Sequence, residues 1–284
     1  MNETTTGIEE KFLADLLRDI EENRLVLPTL PEVALKVRQV VDDPKTSASQ
    51  IAKIMGSDVA LSARLIQVAN SPLYRGRSPV DNLQTAIARL GNVLVRSLVT
   101  SLVMDQLHRG QSVRLKKRLT ALWQHNTQVA AISHVLAAHF TSLKPDEAML
   151  AGLVHDIGSL PILSRAEKVP ELIDDEERLE RIVAQMHPQI GHMILKAWGF
   201  PTELVAVAAG HEYLQRNPDG PADYTDVVIV ANLQSYHGTQ HPHAQVDWKT
   251  VPAFARLGID PELSITSAEQ TADEVAEVQC LLTS

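Results

Sequence analysis

The chain has 284 residues, enough to bury a substantial core in one large domain or in two lobes that share an interface, and we expect two lobes. Hydrophobic residues make up 44% and charged residues 21%, the balance of a soluble globular protein, and no apolar run indicates a membrane span. The formal net charge of -9, without a block of like charges, argues against nucleic acid as the main partner and leaves proteins and small anionic ligands.

The first residues of the chain, MNETTTGIEEKFLADLL, lack the basic and apolar regions of a secretory signal. We therefore expect a cytoplasmic protein that starts with one amphipathic helix, within residues 1–24. The single cysteine, Cys280, agrees with this compartment because one thiol cannot form an internal disulfide. Its position in an apolar C-terminal run predicts a packed side chain.

Helical periodicity dominates the chain wherever a pattern can be read. In ALSARLIQVAN the apolar Leu61, Leu65 and Val68 recur at steps of four and three, which is the spacing of an amphipathic helix. The same spacing predicts helices in SASQIAKIMGSD, NLQTAIARLG, NVLVRSLVTSLVMDQL, TALWQHNTQVAAISHVLAAHF and EAMLAGLVHDIG. The most strand-like run is DVVIVANLQSYHG, but its many helical neighbours favour a buried helix there as well.

Turn-rich and polar segments divide these helices. Two of them, LPTLPEV at 27–33 and SPLYRGRSPVDN at 71–82, are predicted loops. The basic stretch HRGQSVRLKKR at 108–118 is the predicted boundary between the lobes. The resulting organisation is an N-terminal helix at 1–24, an N-terminal helical lobe at 25–115, a second helical lobe at 116–240 and a tail at 241–284.

The tail contains the polar segment GTQHPHAQVDWKTVP and ends in an amphipathic helix. Val275, Val278 and Leu282 share one face of that helix. This apolar face could dock on its own chain or on a second copy as a homodimer, and the sequence leaves both alternatives open.

An adjacent histidine and aspartate, His155 and Asp156, stand out in EAMLAGLVHDIG. The apolar residues before them fit the i, i+3, i+4, i+7 pattern, so we expect the pair in the last turn of a helix that Gly158 caps. Neighbouring residues of a helix diverge by about 100°. Both side chains can therefore reach one ion only if it lies between them and other ligands come from elsewhere.

Further histidines could complete such a site: His125, His187, His192 and His211. Imidazole and carboxylate ligands suit zinc, iron or manganese, and paired metals of this kind activate water for phosphoester hydrolysis. A single helical histidine is more often a packing residue, which is our interpretation of His134, His139 and His192 taken singly. Three histidines near or in the polar tail, His237, His241 and His243, are expected to be solvated. The predicted shared site is His125, His155, Asp156, His187 and His211.

Two blocks of the N-terminal half carry a specific family resemblance. They are LPTLPEVALKVRQVVDDPKTSASQIAKIMGSDVALSARLIQVANSPLY and VDNLQTAIARLGNVLVRSLV. Together they closely resemble the N-terminal helical signature of HDOD domains, the HD-related output domains of bacterial signalling proteins, and the likeness extends over about residues 25–240. HDOD domains are a branch of the HD superfamily of metal-dependent phosphohydrolases. The resemblance implies an all-α fold in which an N-terminal helical lobe packs on a helical lobe of the HD phosphodiesterase type.

The resemblance also implies roles for particular residues. His125 matches the first histidine of the HD pattern, His155 and Asp156 match its doublet, and HPQIGHMIL resembles the segment that supplies a histidine, His187, in HD-GYP phosphodiesterases. His125, His155 and Asp156, with His187 or His211, would hold one divalent transition metal ion, iron, manganese or zinc, because three or four nitrogen and oxygen ligands suffice.

Three positions depart from the pattern of the active enzymes. Gly210 in GHE replaces the first of two histidines, Asn232 stands where a metal-binding aspartate is expected, and Ser159 replaces a lysine. Asparagine offers a neutral carbonyl oxygen, so a dinuclear site loses anionic ligation there. The familiar dinuclear route of catalysis is therefore not expected.

The resemblance leaves three functions open. We favour a non-catalytic signalling module that acts through other signalling proteins. The alternative is a metal-dependent phosphohydrolase that acts on a nucleotide or cyclic dinucleotide, with His155 and Asp156 as its candidate catalytic residues. The third is a sensor whose pocket binds a nucleotide without cleaving it and so changes the contact between the lobes.

Overall fold

The protein is described by a computed structural model that covers residues 3–22, 24, 37, 40, 46–56, 59–109, 113–266 and 271–283. All repetitive secondary structure in these residues is helical, which confirms the predicted all-α fold. The α-helices are α1 (Glu3–Glu21), α2 (Ala48–Met55), α3 (Val59–Ala69), α4 (Leu83–Arg109), α5 (Lys116–Phe140), α6 (Pro145–Val154), α7 (Ser159–Ala166), α8 (Pro170–Ile173), α9 (Glu176–Ala197), α10 (Thr202–Gly210), α11 (Tyr224–Ser235), α12 (Pro252–Leu257) and α13 (Ala272–Thr283).

The structure describes some of the predicted loops and not others. The turn-rich segment 71–82 is a loop, as the sequence predicts, whereas LPTLPEV at 27–33 lies outside the described residues. The tail has two short 3-10 turns, at Pro242–Gln245 and Trp248–Thr250. The organisation into residues 1–24, 25–115, 116–240 and 241–284 stays a prediction.

The first helices after the N-terminal one pack around α4. Ser47 caps α2, because its hydroxyl accepts a hydrogen bond from the Gln50 backbone while the Gln50 side chain accepts one from the Ser47 backbone. The predicted apolar stripe of α3 is buried, and both α2 and α3 pack on α4. Gly91, at a φ of 77°, kinks α4 in a conformation that favours glycine.

The chain was expected to lack an apolar run long enough to span a membrane, but the long helix α4 contains one. Residues Leu83–Leu107 are long and apolar enough to cross a membrane by length and composition, and 67% of the apolar window is buried inside the protein. Burial of this kind is typical of the core helix of a soluble protein, which passes the same test. Its apolar residues pack against α2, α3 and α6.

The core of the second half is built on the pair α5 and α6. The two helices approach closely at Gly152, where an added Cβ would lie 2.8 Å from the Ala130 Cα atom. The run DVVIVANLQ forms the buried helix α11, as predicted, and packs on both. Helices α9 and α10 pack together beside this core, and α7 packs on α9. The segments that carry the predicted site residues therefore converge.

The two ends of the chain also pack on the body of the protein. The apolar face of α13, formed by Val275, Val278 and Leu282, is buried against α5 of the same chain. Cys280 lies on the other side of α13 and is exposed, contrary to the prediction that it is packed. At the other end, Asp19 of α1 pairs with Arg165 of α7, and α1 contacts α9.

One buried histidine of α5 leads to a prediction about acid stability. His134 is buried with no hydrogen-bond partner for its Nδ1 atom in the residues that the structure describes, and burial lowers its pKa to about 4. The unfolded chain binds a proton near pH 6.5, the native protein only near pH 4, so stability is lost as the pH falls through this window. The free energy of unfolding, measured with urea, should fall between pH 7 and pH 4.5 in both proteins. The fall should be about 2 kcal/mol larger in the natural protein than in His134→Leu.

The matched control for His134→Leu is His237→Gln, since His237 is an exposed histidine. This variant should follow the natural protein through the same pH range. If the free energy of unfolding fell equally in the natural protein and in His134→Leu on acidification, His134 would not resist protonation in the folded state.

Candidate metal centre

The structure brings all five predicted site residues together. His125 lies in α5, His155 and Asp156 lie in the turn between α6 and α7, His187 lies in α9, and His211 directly follows α10. They form two groups that share Asp156, one with His125 and His155 and the other with His187 and His211. Within each group the ligand atoms lie within 4.8 Å of one another.

The turn that carries His155 and Asp156 differs from the predicted helix end. Helix α6 stops at Val154, and Gly158 precedes α7 instead of capping α6. Glycine is needed here for another reason, because an added Cβ would lie 2.0 Å from the backbone oxygen of His187 and 2.5 Å from the backbone nitrogen of Gly191. The close approach of this turn to α9 places Asp156 beside His187.

The backbone orients three of the four histidines. In each, Nδ1 bonds the carbonyl oxygen three or four residues earlier: His155 bonds Gly152 at 2.7 Å, His187 bonds Val183 at 2.8 Å, and His211 bonds Val207 at 3.1 Å. Since a carbonyl oxygen can only accept a hydrogen bond, Nδ1 carries the proton in each ring. In the neutral form of each ring the Nε2 atom then carries the lone pair, which is the arrangement of metal-binding histidines.

Three ligand atoms are spaced as they would be around one ion. Asp156 Oδ1 lies 3.2 Å from His187 Nε2 and 3.2 Å from His211 Nε2, and the two nitrogens are 3.0 Å apart. Ligands about 2.0–2.2 Å from a divalent ion lie roughly 2.9–3.5 Å from one another in adjacent positions. Two Nε2 lone pairs at this separation repel each other unless a proton or a cation lies between them. The donor set therefore fits a divalent metal ion.

The second group is looser and includes a buried atom that lacks a partner. His155 Nε2 lies 3.5 Å from Asp156 Oδ1 and forms no hydrogen bond in the part of the chain that the structure describes. His125 Nε2 lies 3.7 Å from Asp156 Oδ2. A buried acceptor without a donor is costly, and a cation beside it would remove that cost.

The electrostatics of the site keep the carboxylate of Asp156 charged. Burial opposes ionisation of Asp156, but the surrounding histidines, His155 and His187 foremost, hold its pKa well below the usual value. Burial lowers the pKa of His155 to about 3 and also lowers that of His125. Burial opposes protonation of His187 too, yet the neighbouring Asp156 outweighs it and raises the pKa of that ring. The centre thus attracts one cation.

Four residues at the site were missed from the sequence. Glu212 Oε2 lies 3.2 Å from His243 Nε2, and the ring of Tyr236 stacks between His125 and His241, at centroid distances of 4.9 and 3.6 Å. The prediction that His241 and His243 are merely solvated is wrong, because the chain after α11 folds back over the site. Only Glu212 had a local signal, its position next to His211.

Glu212 is charged in this setting. Burial opposes its ionisation, but the hydrogen bond from His243 and the neighbouring histidines hold its pKa at about 2. The site therefore contains a second ionised carboxylate that the HD pattern did not indicate.

The three positions that depart from the HD pattern also lie nearby. Asn232 is buried in α11, and its Nδ2 donates to Glu212 Oε1 at 3.4 Å. Ser159 is the buried first residue of α7, and Gly210 is the last residue of α10. His192, the other histidine candidate of α9, belongs to neither ligand group.

Comparison with known proteins identifies the family of this chain. A protein of Shewanella amazonensis SB2B, named as a candidate metal-dependent phosphohydrolase, is 31% identical, with a TM-score of 0.83 over 96% of this chain and 99% of that chain. An HDOD domain protein with unknown function from Geobacter sulfurreducens is 23% identical, with a TM-score of 0.68 over 96% and 97% of the two chains. No curated protein matches. The HDOD domain model matches residues 27–214, and the chain belongs to the HDOD family.

Proposed function

We propose that this chain is a regulatory module of bacterial signalling, in the cytoplasm, that holds one divalent metal ion and acts through protein partners without turnover. The observation that carries the proposal is the triangle of Asp156 Oδ1, His187 Nε2 and His211 Nε2, with sides of 3.0–3.2 Å. Membership of the HDOD family supports the signalling role.

The ligand chemistry indicates which ions suit the centre. Asp156, His187 and His211 would hold the ion directly, with His155 as the nearest further donor. Imidazole nitrogen with a carboxylate suits iron, manganese or zinc better than magnesium or calcium, which prefer oxygen ligands alone.

The enclosure of the site favours regulation over turnover. The side chains of His155 and His211 are fully buried, and that of Asp156 is 15% exposed. The ring of Tyr236 stacks on His125 and the ring of His241 stacks on Tyr236, so a nucleotide that approached from this side would have to displace them. Ser159 is buried where active relatives have a lysine, so it provides no charge for a substrate phosphate.

An enclosed ion would act on the arrangement of helices. Its ligands come from the turn after α6, from α9 and from the end of α10, so binding would hold these three segments in one arrangement. A ligand that binds one arrangement better than another shifts the population towards it. We propose that protein partners recognise the metal-bound arrangement, and that a nucleotide could bias it in the same way.

A metal-dependent phosphohydrolase acting on a nucleotide or cyclic dinucleotide is the second candidate. It is favoured by the partly exposed pair of His125 Nε2 and Asp156 Oδ2, 3.7 Å apart. A divalent ion would supply Lewis acidity towards a phosphoryl oxygen. Because burial lowers its pKa, His125 is neutral at pH 7 and able to accept a proton from an attacking water.

One experiment tests both functions through Asp156→Asn. We expect the natural protein, purified without chelator, to contain close to one divalent ion per chain by elemental analysis. The variant should retain about a tenth of that or less, because the shared carboxylate is lost. The control is Asp219→Asn, which changes an exposed aspartate and should keep the metal.

The same samples then decide whether the centre turns over substrate. We expect no metal-dependent hydrolysis of phosphodiesters or nucleotides by the natural protein. Hydrolysis that is present in the natural protein and absent in Asp156→Asn would overturn the regulatory assignment in favour of the phosphohydrolase. A well-folded natural protein without metal would overturn the metal centre itself.

A further inference from the structure

The ligand set proposed above leaves a charge imbalance in a buried place. Of the three proposed ligands, Asp156, His187 and His211, only Asp156 is an anion, so the set places one negative charge beside a divalent ion. A buried excess charge is costly unless an opposite charge lies close by. Asn232, at the position where active relatives have an aspartate, offers only a neutral amide.

Glu212 lies where the missing negative charge is needed. Its Oε1 atom is 3.5 Å from His211 Nε2, close enough for its charge to act on an ion that His211 holds. Glu212 directly follows His211 at the end of α10, so the same helix end presents both side chains to the centre. No feature of the HD resemblance assigns a role to this glutamate.

Two neighbours hold the carboxylate of Glu212 in place. Asn232 Nδ2 donates to Oε1 at 3.4 Å, and His243 Nε2 lies 3.2 Å from Oε2. Each oxygen therefore has one protein partner, and Oε1, the oxygen on the side of His211, keeps a second lone pair. The amide of Asn232 thereby orients the carboxylate that replaces its own missing charge.

We infer that Glu212 is the second carboxylate of the metal centre, which balances the charge of the ion from beside His211, and that Asn232 is its positioning residue. The negative charge that active relatives carry on α11 is supplied here from the end of α10. This inference rests on the proposed metal centre and names the group that balances the charge of its ion.

A charge exchange between two positions tests the inference. The affinity of metal-free protein for Zn²⁺ is measured by competition with a chromophoric chelator, and folding is checked by circular dichroism and thermal unfolding. We expect Glu212→Gln to bind Zn²⁺ about tenfold more weakly or worse, without a change in fold. The double variant Glu212→Gln with Asn232→Asp should recover most of the lost affinity, because the carboxylate returns on α11.

Two controls make the outcomes distinct. Glu203→Gln changes an exposed glutamate of the same helix, α10, and should bind Zn²⁺ like the natural protein. The single variant Asn232→Leu removes the amide that positions Glu212 and should bind Zn²⁺ more weakly than the natural protein, and an unchanged affinity would overturn the positioning role.

The result separates this inference from the proposed function. Equal affinity in the natural protein and Glu212→Gln, or a loss that Asn232→Asp does not recover, would overturn the inference and leave the metal centre standing. Absence of Zn²⁺ binding by the folded natural protein would overturn the metal centre, and the role of Glu212 with it.

Discussion

Replacement of Gly158 by alanine is expected to destabilise the protein by about 3–5 kcal/mol or to prevent folding. The added Cβ would lie 2.0 Å from the His187 oxygen and 2.5 Å from the Gly191 nitrogen. Both atoms belong to the backbone of α9, which cannot move aside as a flexible side chain would. Urea unfolding of the purified variant, or its yield of soluble protein, measures the effect.

The matched control is the same substitution in α1. Gly7→Ala meets no atom within 4 Å and should stabilise the protein by about 0.5–1 kcal/mol, because alanine favours a helix. Gly158→Ala protein that does fold should bind metal weakly, since α9 must shift and carries His187 away from Asp156. A variant as stable as the natural protein would show that the turn and α9 are not in such close contact.

A second large loss of stability is expected for Asp226→Asn. Asp226 is fully buried on α11, and its two oxygens accept hydrogen bonds from Arg216 at 2.8 Å and from Arg256 at 2.9 Å. Asparagine keeps the shape but removes the charge and one acceptor, so two guanidinium groups lose their shared buried partner. The expected cost is about 3–5 kcal/mol in the free energy of unfolding.

Asp226→Asn can be compared with Asp219→Asn, an exposed aspartate in the loop before α11, which should stay within about 0.5 kcal/mol of the natural protein. Through Arg216 and Arg256, Asp226 connects α11 to α12 and to the loop that contains Arg216. This loop follows Glu212 in the sequence. Metal affinity should therefore fall together with stability. Equal unfolding midpoints for both variants would mean that the cluster adds no net stability.

Helical periodicity predicted most of the fold because the pattern is local. The stripe of Leu61, Leu65 and Val68 and the face of Val275, Val278 and Leu282 are buried as expected. The register of turns is set by close contacts between distant segments, which local spacing does not reveal. Gly158 was therefore assigned to a helix cap, when contact with α9 is what requires a glycine there.

At the site, too, the residues that follow a sequence pattern were predicted, and those brought in by contacts between distant segments were not. The set His125, His155, Asp156, His187 and His211 was predicted from residue types on or beside predicted helices, the family pattern agreed with it, and the structure brings its members together. His241 and His243 belong to a polar segment with no pattern of its own, and only the folding back of the chain after α11 brings them to the site. Asn232 was interpreted as a lost ligand, but its contact with Glu212 depends on the packing of α10 against α11.

The convergence of ligands from α5, the turn after α6, α9 and the end of α10 has a kinetic consequence. These segments are far apart in sequence, and contacts of this kind form late in folding because loop closure is costly. An ion that binds only the completed centre stabilises the native state more than the transition state. Metal binding is therefore expected to slow unfolding while leaving the rate of refolding nearly unchanged.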